Sequence, residues 1–252
     1  MTVEVLAMAG RRLRQLRRSP GRLLGVTLSP LVSLVVLGYL FRDTISVGGG
    51  NYQEYLFAGA AIQVGLAGVG PTAIAVATDL RTGAFDRYRS LPISRVAVPL
   101  GHTAGDFLLS LFALGIVVVV GTLLGWHSHT GLVPTLQGFA VVVVFSYVML
   151  WVGVLFGSIM GNLESISSVT QFLVVVLPFF SNAFLPVSSL PALVRPIAEW
   201  NPISAVMTLC RDLWGNGAAP VSGSPYLVAG ATLLVLLAAS LAVGVRRFAT
   251  AG

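Results

Sequence analysis

Few side chains in this sequence could do chemistry, and the first candidates are one histidine and one carboxylate. His102 and Asp106 lie four residues apart in an apolar segment, so on a helix they share a face and can pair. Such a pair could relay protons, or it could form a hydrogen bond near a helix end. A carboxylate at the centre of a membrane-spanning helix costs about 2.5–3.5 kcal/mol on insertion scales. We favour the hydrogen bond, because both residues lie near the end of the segment.

The other reactive side chains are two histidines and one cysteine. His127 and His129 flank Ser128, but a structural zinc site needs four ligands, so we expect a surface loop here and no metal. Cys210 is the only cysteine, which excludes an intrachain disulfide and leaves an intersubunit bridge open. Its place in an apolar helical stripe favours a packed thiol.

All 15 basic residues are arginine, and the absence of lysine excludes two kinds of site. A P-loop needs its lysine at the phosphates, and a Schiff-base enzyme needs one as nucleophile. The sequence also contains no HExxH and no GxSxG motif, so no catalytic residue is predicted. We expect a chain that is not an enzyme, holds no cofactor of its own and takes any ATP energy from another subunit.

The composition indicates a membrane setting. Of the 252 residues, 56% are hydrophobic and 10% are charged, against about 25% charged in soluble domains. Six apolar runs are each long enough to cross the hydrocarbon core as a helix. They cover residues 23–41, 55–78, 106–126, 138–160, 166–187 and 226–245. The sequence therefore predicts an all-α integral membrane protein, with six transmembrane helices in a single domain over residues 1–252.

The placement of arginine predicts the orientation of these spans. Twelve of the 15 arginines fall before the first span, between spans two and three, or after span six. The other side holds only Arg42, Arg195 and Arg211. Both termini are therefore predicted to be cytoplasmic. The net charge of +6 is then explained by membrane topology rather than by a nucleic-acid partner.

Two cytoplasmic segments are predicted to be amphipathic helices. Residues 3–18 combine an apolar stripe with arginines that can face lipid phosphates, although a disordered basic tail is the alternative. In the connection 79–95, Phe85, Tyr88 and Leu91 recur every three residues, and Pro92 ends the helix. This second helix is either a solvated turn or a docking surface for a partner.

The connection 188–225 is unusually apolar for a loop on the outer side. Asn201 is a predicted N-cap, Pro202 follows at the first helical position, and Gly215 supplies the stop. Residues 190–200 form a second candidate helix. Both short helices are predicted to lie on the outer membrane face or to dip into it.

Two stretches follow a recognisable family pattern. One is RSLPISR at 89–95 with residues 100–106 after it; the other is Phe184-Leu185-Pro186, Leu190-Pro191, Trp200-Asn201-Pro202 and then Arg211. In order and spacing they resemble the type-2 ABC exporter permeases, the membrane subunits of bacterial drug and glycolipid exporters related in fold to the G subfamily. The resemblance covers essentially the whole chain. His102 stands where the family more often has lysine or arginine.

The resemblance implies partners and a coupling site. The segment 3–18 would be the elbow helix, two permease copies, identical or different, would enclose the substrate path, and a separate ATPase subunit would bind ATP and Mg. The second cytoplasmic helix would be the coupling helix against that ATPase. Its expected coupling residues are Arg81, Phe85, Asp86, Arg87, Tyr88, Arg89, Leu91 and Pro92.

Polar and aromatic residues inside spans two and five are candidates for the substrate path. A polar group in lipid is costly unless it faces a cavity or another helix, so interhelical hydrogen bonding is the alternative for each of them. The candidates are Gln63, Thr72, Gln171, Phe179, Phe180, Ser181 and Asn182. A separate set is expected to be structural, including three glycines that permit close helix approach. This set is Gly153, Gly157, Gly161, Asn201, Pro202 and Arg211.

The resulting hypothesis is a permease subunit of an ATP-driven exporter in a bacterial cytoplasmic membrane. Its weakly charged spans favour a hydrophobic or amphiphilic substrate, and antibiotic efflux follows by analogy with the family. A lipid or glycolipid exporter of the same family is one alternative. Others are a proton-coupled secondary transporter that uses His102 and Asp106, and a membrane scaffold or enzyme. We find no internal repeat, which is a mild argument against a secondary transporter.

Overall fold

The computed structural model describes residues 20–42, 44–45, 47, 51–82, 97–217 and 225–250. Within these residues the chain is all-helical and has no β-strand. The predicted interfacial helix at 3–18 lies outside the described residues, as does nearly all of the predicted coupling helix.

The described chain contains eight helices, which we number in chain order, and a separate 3₁₀ turn at Val187–Ser189. Helix α1, Pro20–Val32, continues through a π-helical turn, Ser33–Leu37, and a last turn, Gly38–Leu40. Helix α5, Leu163–Gln171, likewise continues through a π-helical turn, Phe172–Val176, and a 3₁₀ turn, Leu177–Phe180. The other helices are α2 Tyr52–Arg81, α3 Ala97–Leu123, α4 Leu132–Ile159, α6 Arg195–Trp200, α7 Pro202–Trp214 and α8 Pro225–Thr250.

Five of the described helices, α1 to α5, are long and apolar enough to cross a membrane. They overlap the first five predicted spans, but some bounds differ. Helix α3 begins at Ala97, nine residues before its predicted apolar run, and α4 begins at Leu132, six residues before its run. The fifth span ends in its 3₁₀ turn at Phe180, seven residues before the predicted end at residue 187. The sixth predicted span falls within α8, where the apolar stretch Tyr226–Ala242 is shorter than the other five. The chain is therefore multi-pass, and the count of six remains a prediction.

The helices alternate in direction, and several of their ends meet at one end of the bundle. There Trp126, just after α3, donates to Asn216, just after α7, and Asn216 donates to Glu54 in the first turn of α2. At the same end, Trp214 of α7 donates to the carbonyl oxygen of Thr135 near the start of α4. We call this region the cap end. With the predicted orientation of the spans, the cap end would lie on the outer side of the membrane.

Helix α2 is the centre of the bundle. It packs against α1, α3, α4, α5 and α7, and 89% of its most apolar stretch is buried. Its side chains are small over much of its length, which lets its neighbours approach closely. A helix that is apolar on every face is expected at such a position.

Glycines in α4 allow its backbone to approach α2. A Cβ on Gly153 would lie 2.7 Å from the carbonyl oxygen of Val69, and one on Gly157 would overlap the carbonyl oxygen of Ala73. These two glycines therefore lie at close backbone contacts between α4 and α2. The third, Gly161, lies beyond the end of α4, and a Cβ there would meet nothing within 4 Å.

The cap end is held by a buried arginine. Arg211 of α7 is fully buried and donates from Nε to the carbonyl oxygen of Tyr55 at 3.0 Å and from Nη2 to that of Ala183 at 3.1 Å. Its guanidinium also lies 3.6 Å from the centre of the Tyr55 ring, a cation–π contact. Within the described residues it forms no ion pair with a carboxylate. One side chain thus joins α7, α2 and the segment after α5.

Helix α7 has a side-chain cap at its start and a left-handed glycine at its end. Oδ1 of Asn201 accepts a hydrogen bond from the amide of Ile203, and Gly215 ends the helix with φ +70°. The thiol of Cys210 is fully buried against α4, as its apolar stripe predicts. Burial raises the pKa of this thiol to about 12, so it stays protonated at neutral pH.

Substituting Gly157 by alanine tests the contact between α2 and α4. Alanine favours a helix over glycine by about 1 kcal/mol, so propensity alone predicts stabilisation. We expect instead a loss of about 1–3 kcal/mol, because the new methyl group must displace backbone. Gly161→Ala is the matched control and should leave stability nearly unchanged. Thermal unfolding in detergent measures both, and a melting temperature raised by Gly157→Ala would contradict the packing.

Substituting Arg211 tests the anchor at the cap end. Arg211→Ala leaves a cavity and removes two hydrogen bonds, so we expect a loss of about 3 kcal/mol or more. Arg211→Lys should recover only part of this, because an ammonium lacks the planar fork that reaches both carbonyls. Arg195 on α6 also donates to two backbone carbonyls, those of Ser188 and Leu190, but at an exposed position. Arg195→Ala should therefore cost no more than about 1 kcal/mol. Equal effects of Arg211→Ala and Arg195→Ala on thermal unfolding would refute the anchor.

Candidate functional site

A cavity of about 520 Å³ lies between α1, α2 and α5. This volume is within the range of small-molecule sites, about 300–1,000 Å³. Its wall is mostly apolar, with a few polar side chains among aliphatic ones. The polar ones are Ser29, Ser167, Thr170 and Gln171, and the apolar ones include Leu28, Val32, Ile74, Val174 and Val175. Such a wall is amphiphilic and can contact both apolar and hydrogen-bonding parts of a ligand.

All three helices around the cavity depart from regular α-helix. Helix α1 contains Pro30 and a π-helical turn, α2 contains Pro71, and α5 passes into a π-helical turn and then Pro178. Proline removes a backbone donor, and π turns shift the hydrogen-bond register; both are common where helices bend or bind. The cavity thus lies where all three helices are irregular.

Gln63 of α2 links the three helices beside the cavity. Its Nε2 donates to Oγ of Ser29 on α1 at 3.1 Å and to the carbonyl oxygen of Val174 on α5 at 3.0 Å. Both partners lie on the cavity wall, and Val174 belongs to the π-helical turn of α5. The Oε1 atom of Gln63 is buried and has no hydrogen-bond partner among the described residues.

The structure separates the residues predicted to line a substrate path. Gln171 lies on the cavity wall, and Gln63 lies just behind it. Phe179 and Phe180 are exposed at the far end of α5, near the cap end. Ser181 and Asn182 are buried there and bond instead to the backbone and to α7. They belong to the packing of the cap end in this conformation.

Thr72 is also away from the cavity, and it partners Asp106. Its hydroxyl donates to Oδ2 of Asp106 on α3 at 2.8 Å, with both side chains buried. Asp106 therefore takes part in a hydrogen bond between α2 and α3. The predicted pairing of Asp106 with His102 involves a side chain outside the described part of the structure.

Of the predicted coupling residues, only Arg81 is described. It is the last residue of α2 and is exposed, at the end of the bundle opposite the cap. The other seven, Phe85 to Pro92, lie outside the described residues, so the coupling assignment stays a prediction.

Four aromatic rings close the cap end, and they were not predicted from the sequence. Phe57 and Trp126 stack with ring centres 4.0 Å apart, and Phe139 and Trp214 pack edge-on or tilted around them. Phe57 lies on α2, Trp126 lies just after α3, Phe139 lies on α4, and Trp214 lies on α7. The sequence shows each ring singly; only the alternation of helix direction brings them together.

Comparison with known proteins agrees with this architecture. Residues 3–213 match the family model described as ABC-2 type transporter. The chain is 28% identical to "Daunorubicin resistance ABC transporter permease protein DrrB1" of Streptomyces coeruleorubidus, over 81% of this chain and 72% of that protein. It is 24% identical to "Probable doxorubicin resistance ABC transporter permease protein DrrC" of Mycobacterium tuberculosis, over 98% and 90%.

A third relative is named only as a putative permease. It is "Putative transport permease ycf38" of Porphyra purpurea, 26% identical over 84% of this chain and 74% of that protein. The family model spans most of the chain, including all of α1 to α6 and nearly all of α7. This all-helical, multi-pass chain therefore belongs to the ABC-2 type transporter family.

Proposed function

We propose that this chain is the permease subunit of an ATP-driven exporter in a bacterial cytoplasmic membrane. It works with a separate ATPase subunit and a second permease copy, and it moves a hydrophobic or amphiphilic small molecule outward. Two relatives that are named for daunorubicin and doxorubicin resistance support this substrate class. Six spans with both termini cytoplasmic belong to the same proposal. A lipid or glycolipid is the alternative substrate class.

The cavity between α1, α2 and α5 carries the proposal. Apolar side chains on its wall can bind the flat or aliphatic part of an amphiphile, and the hydroxyls and Gln171 can bind its polar part. Within the described residues the Gln171 amide has no hydrogen-bond partner, and it is exposed. An amide on a membrane-spanning helix is costly in lipid, so a polar ligand or a second subunit at this position would stabilise it.

The two ends of the bundle differ in a way that fits uptake from the cytoplasmic side. Four packed aromatic rings and Arg211 close the cap end, whereas the cavity lies towards the opposite half of α1, α2 and α5. With the predicted orientation, the closed cap would lie on the outer side and the cavity in the inner half of the membrane. Export then requires tighter substrate binding in this state than in an outward-open one.

The burial of the spans supports a second permease copy. Only 28% of the most apolar stretch of α1 and 17% of that of α5 are buried, against 89% for α2. Helices α1 and α5 flank the cavity, so a second copy on these faces would enclose it. Residues such as Leu28, Val32 and Val175 would then pass from exposed to shared surface.

The proton-coupled alternative depends on Asp106. This carboxylate is 4% exposed and accepts a hydrogen bond from Thr72, which gives it a structural part between α2 and α3. We therefore favour ATP as the energy source.

Charge reversal at the predicted coupling helix tests the ATPase partner. Purified from its own host, the tagged chain should bring down a Walker-motif ATPase. Arg87→Glu with Arg89→Glu should reduce the recovered ATPase at least about tenfold, the effect of 1.4 kcal/mol of binding. The matched control is Arg42→Glu with Arg195→Glu, which reverses two arginines on the predicted outer side. Equal recovery with both double variants would contradict the coupling site.

Narrowing the cavity tests the substrate path. Ser167 lies on the wall and its neighbour Ser168 does not, while both are exposed on α5. In inside-out vesicles that contain the chain and its ATPase, doxorubicin uptake should need ATP and resist a protonophore. Ser167→Phe should raise the doxorubicin concentration for half-maximal uptake by about tenfold, or about 1.4 kcal/mol. Ser168→Phe should leave it within about twofold. Uptake that persists without ATP and collapses in Asp106→Asn would instead favour proton coupling.

A further inference from the structure

At the cap end, three side chains bring nitrogen and carboxylate oxygen atoms to one point. Glu54 lies in the first turn of α2, and His127 and His129 lie in the connection between α3 and α4. Nδ1 of His127 is 3.2 Å from Oε1 of Glu54, and Nε2 of His129 is 2.9 Å from Oε2. One ligand atom from each residue lies within 4.8 Å of the other two. Folding thus adds a third ligand to the two histidines that are visible in the sequence.

The carboxylate is buried and the imidazoles are open to one side. The Glu54 side chain is 6% exposed, whereas those of His127 and His129 are 66% and 45% exposed. A buried carboxylate is costly unless hydrogen bonds and an opposite charge compensate it. Within the described residues no arginine forms an ion pair with Glu54. A cation that enters from the exposed side would supply that charge.

Neighbouring groups hold the carboxylate in place. Nδ2 of Asn216 donates to Oε2 of Glu54 at 3.1 Å and to the carbonyl oxygen of His127 at 3.3 Å. Oδ1 of Asn216 accepts from Nε1 of Trp126 at 3.2 Å, and this fixes the amide orientation. Outer contacts of this kind orient ligands in metal sites.

We propose that Glu54, His127 and His129 form a binding site for a divalent transition metal, with Zn²⁺ as the best-matched ion. Two imidazoles and one carboxylate, with a water in the fourth position, are a common tetrahedral zinc set. Zinc–ligand distances of about 2.0–2.1 Å would bring the ligand atoms to about 3.3 Å from one another. The bound ion would join the start of α2 to the connection between α3 and α4, and so hold the cap end together.

Binding requires small changes at both imidazoles. Nε2 of His129 lies at hydrogen-bond distance, 2.9 Å, from Oε2 of Glu54 and must offer the metal a lone pair instead of a proton. Nδ1 of His127 also lies 3.0 Å from the carbonyl oxygen of Gly125. This imidazole must turn, or lose its Nδ1 proton, to offer a lone pair to the metal. Its ring is mostly exposed and has room to turn.

Metal titration of the purified full-length chain tests the site. The protein is prepared in detergent without a polyhistidine tag, and ZnCl₂ is titrated by calorimetry. We expect one saturable Zn²⁺ per chain and no binding of Mg²⁺, which prefers six oxygen ligands. Loss of an outer contact typically weakens a metal site about 10–100-fold, so loss of a ligand should weaken it at least about 100-fold. His127→Ala, His129→Ala and Glu54→Gln should each do so.

Controls separate this site from other histidines and from misfolding. His102→Ala removes the chain's third histidine, near the other end of α3, and should bind Zn²⁺ as the wild type does. Glu54→Gln keeps an acceptor oxygen for Asn216 and so should fold. If this variant aggregates, His127→Ala and His129→Ala, which change exposed side chains, still test whether the site binds Zn²⁺. Zn²⁺ should also raise the melting temperature of the wild type but not of these variants. Absence of saturable binding, or binding that survives His127→Ala and His129→Ala, would overturn the proposal.

Discussion

The cap end depends on one interaction, the burial of the Arg211 guanidinium between two backbone carbonyls and the Tyr55 ring. Burial lowers the pKa of this guanidinium, but from so high a value that the group stays charged. One of its nitrogens, Nη1, has no hydrogen-bond partner in the described structure. Water would solvate this charge better than the closed cap does, whereas the carbonyls and the ring favour closure. Two contributions to the free energy of closure therefore oppose each other. The lost hydration of the guanidinium disfavours the closed cap, and the hydrogen bonds to the carbonyls and the cation–π contact favour it.

The rest of the molecule is arranged around that closed end. Tyr52 and Tyr55 of α2 donate to the backbone of the segment after α5, and Asn182 of that segment donates to Thr208 of α7. These contacts hold the start of α2, the segment after the end of α5, and α7 together at the cap end. In the other half of the bundle α2 and α5, together with α1, surround the cavity. Tight polar contacts at one end and an open cleft at the other are two results of the same packing.

The sequence predicts the helices better than it predicts their contacts. Apolar runs locate α1 to α5, and Asn201 and Gly215 locate α7, because span length and capping are local properties. Helix α6 is shorter than predicted, since Pro196 favours a helix start at Arg195 rather than at residue 190. The ligands of one site are harder to predict. Glu54 is 73 residues from His127, and nothing local in the sequence relates them.

The same limit applies to the polar residues inside the spans. Gln63, Thr72 and Gln171 are all polar residues within apolar spans, and the sequence does not distinguish their roles. In the structure, Gln63 links three helices, Thr72 bonds Asp106, and Gln171 lies on the cavity wall.

The position of helix α2 has a further consequence, because neighbours enclose it on nearly every side. It cannot rotate or slide without disturbing all of them at once. Helix α2 is therefore suited to stay fixed when the subunit changes conformation. The peripheral helices α1 and α5, which contain π turns and prolines, have the freedom to bend.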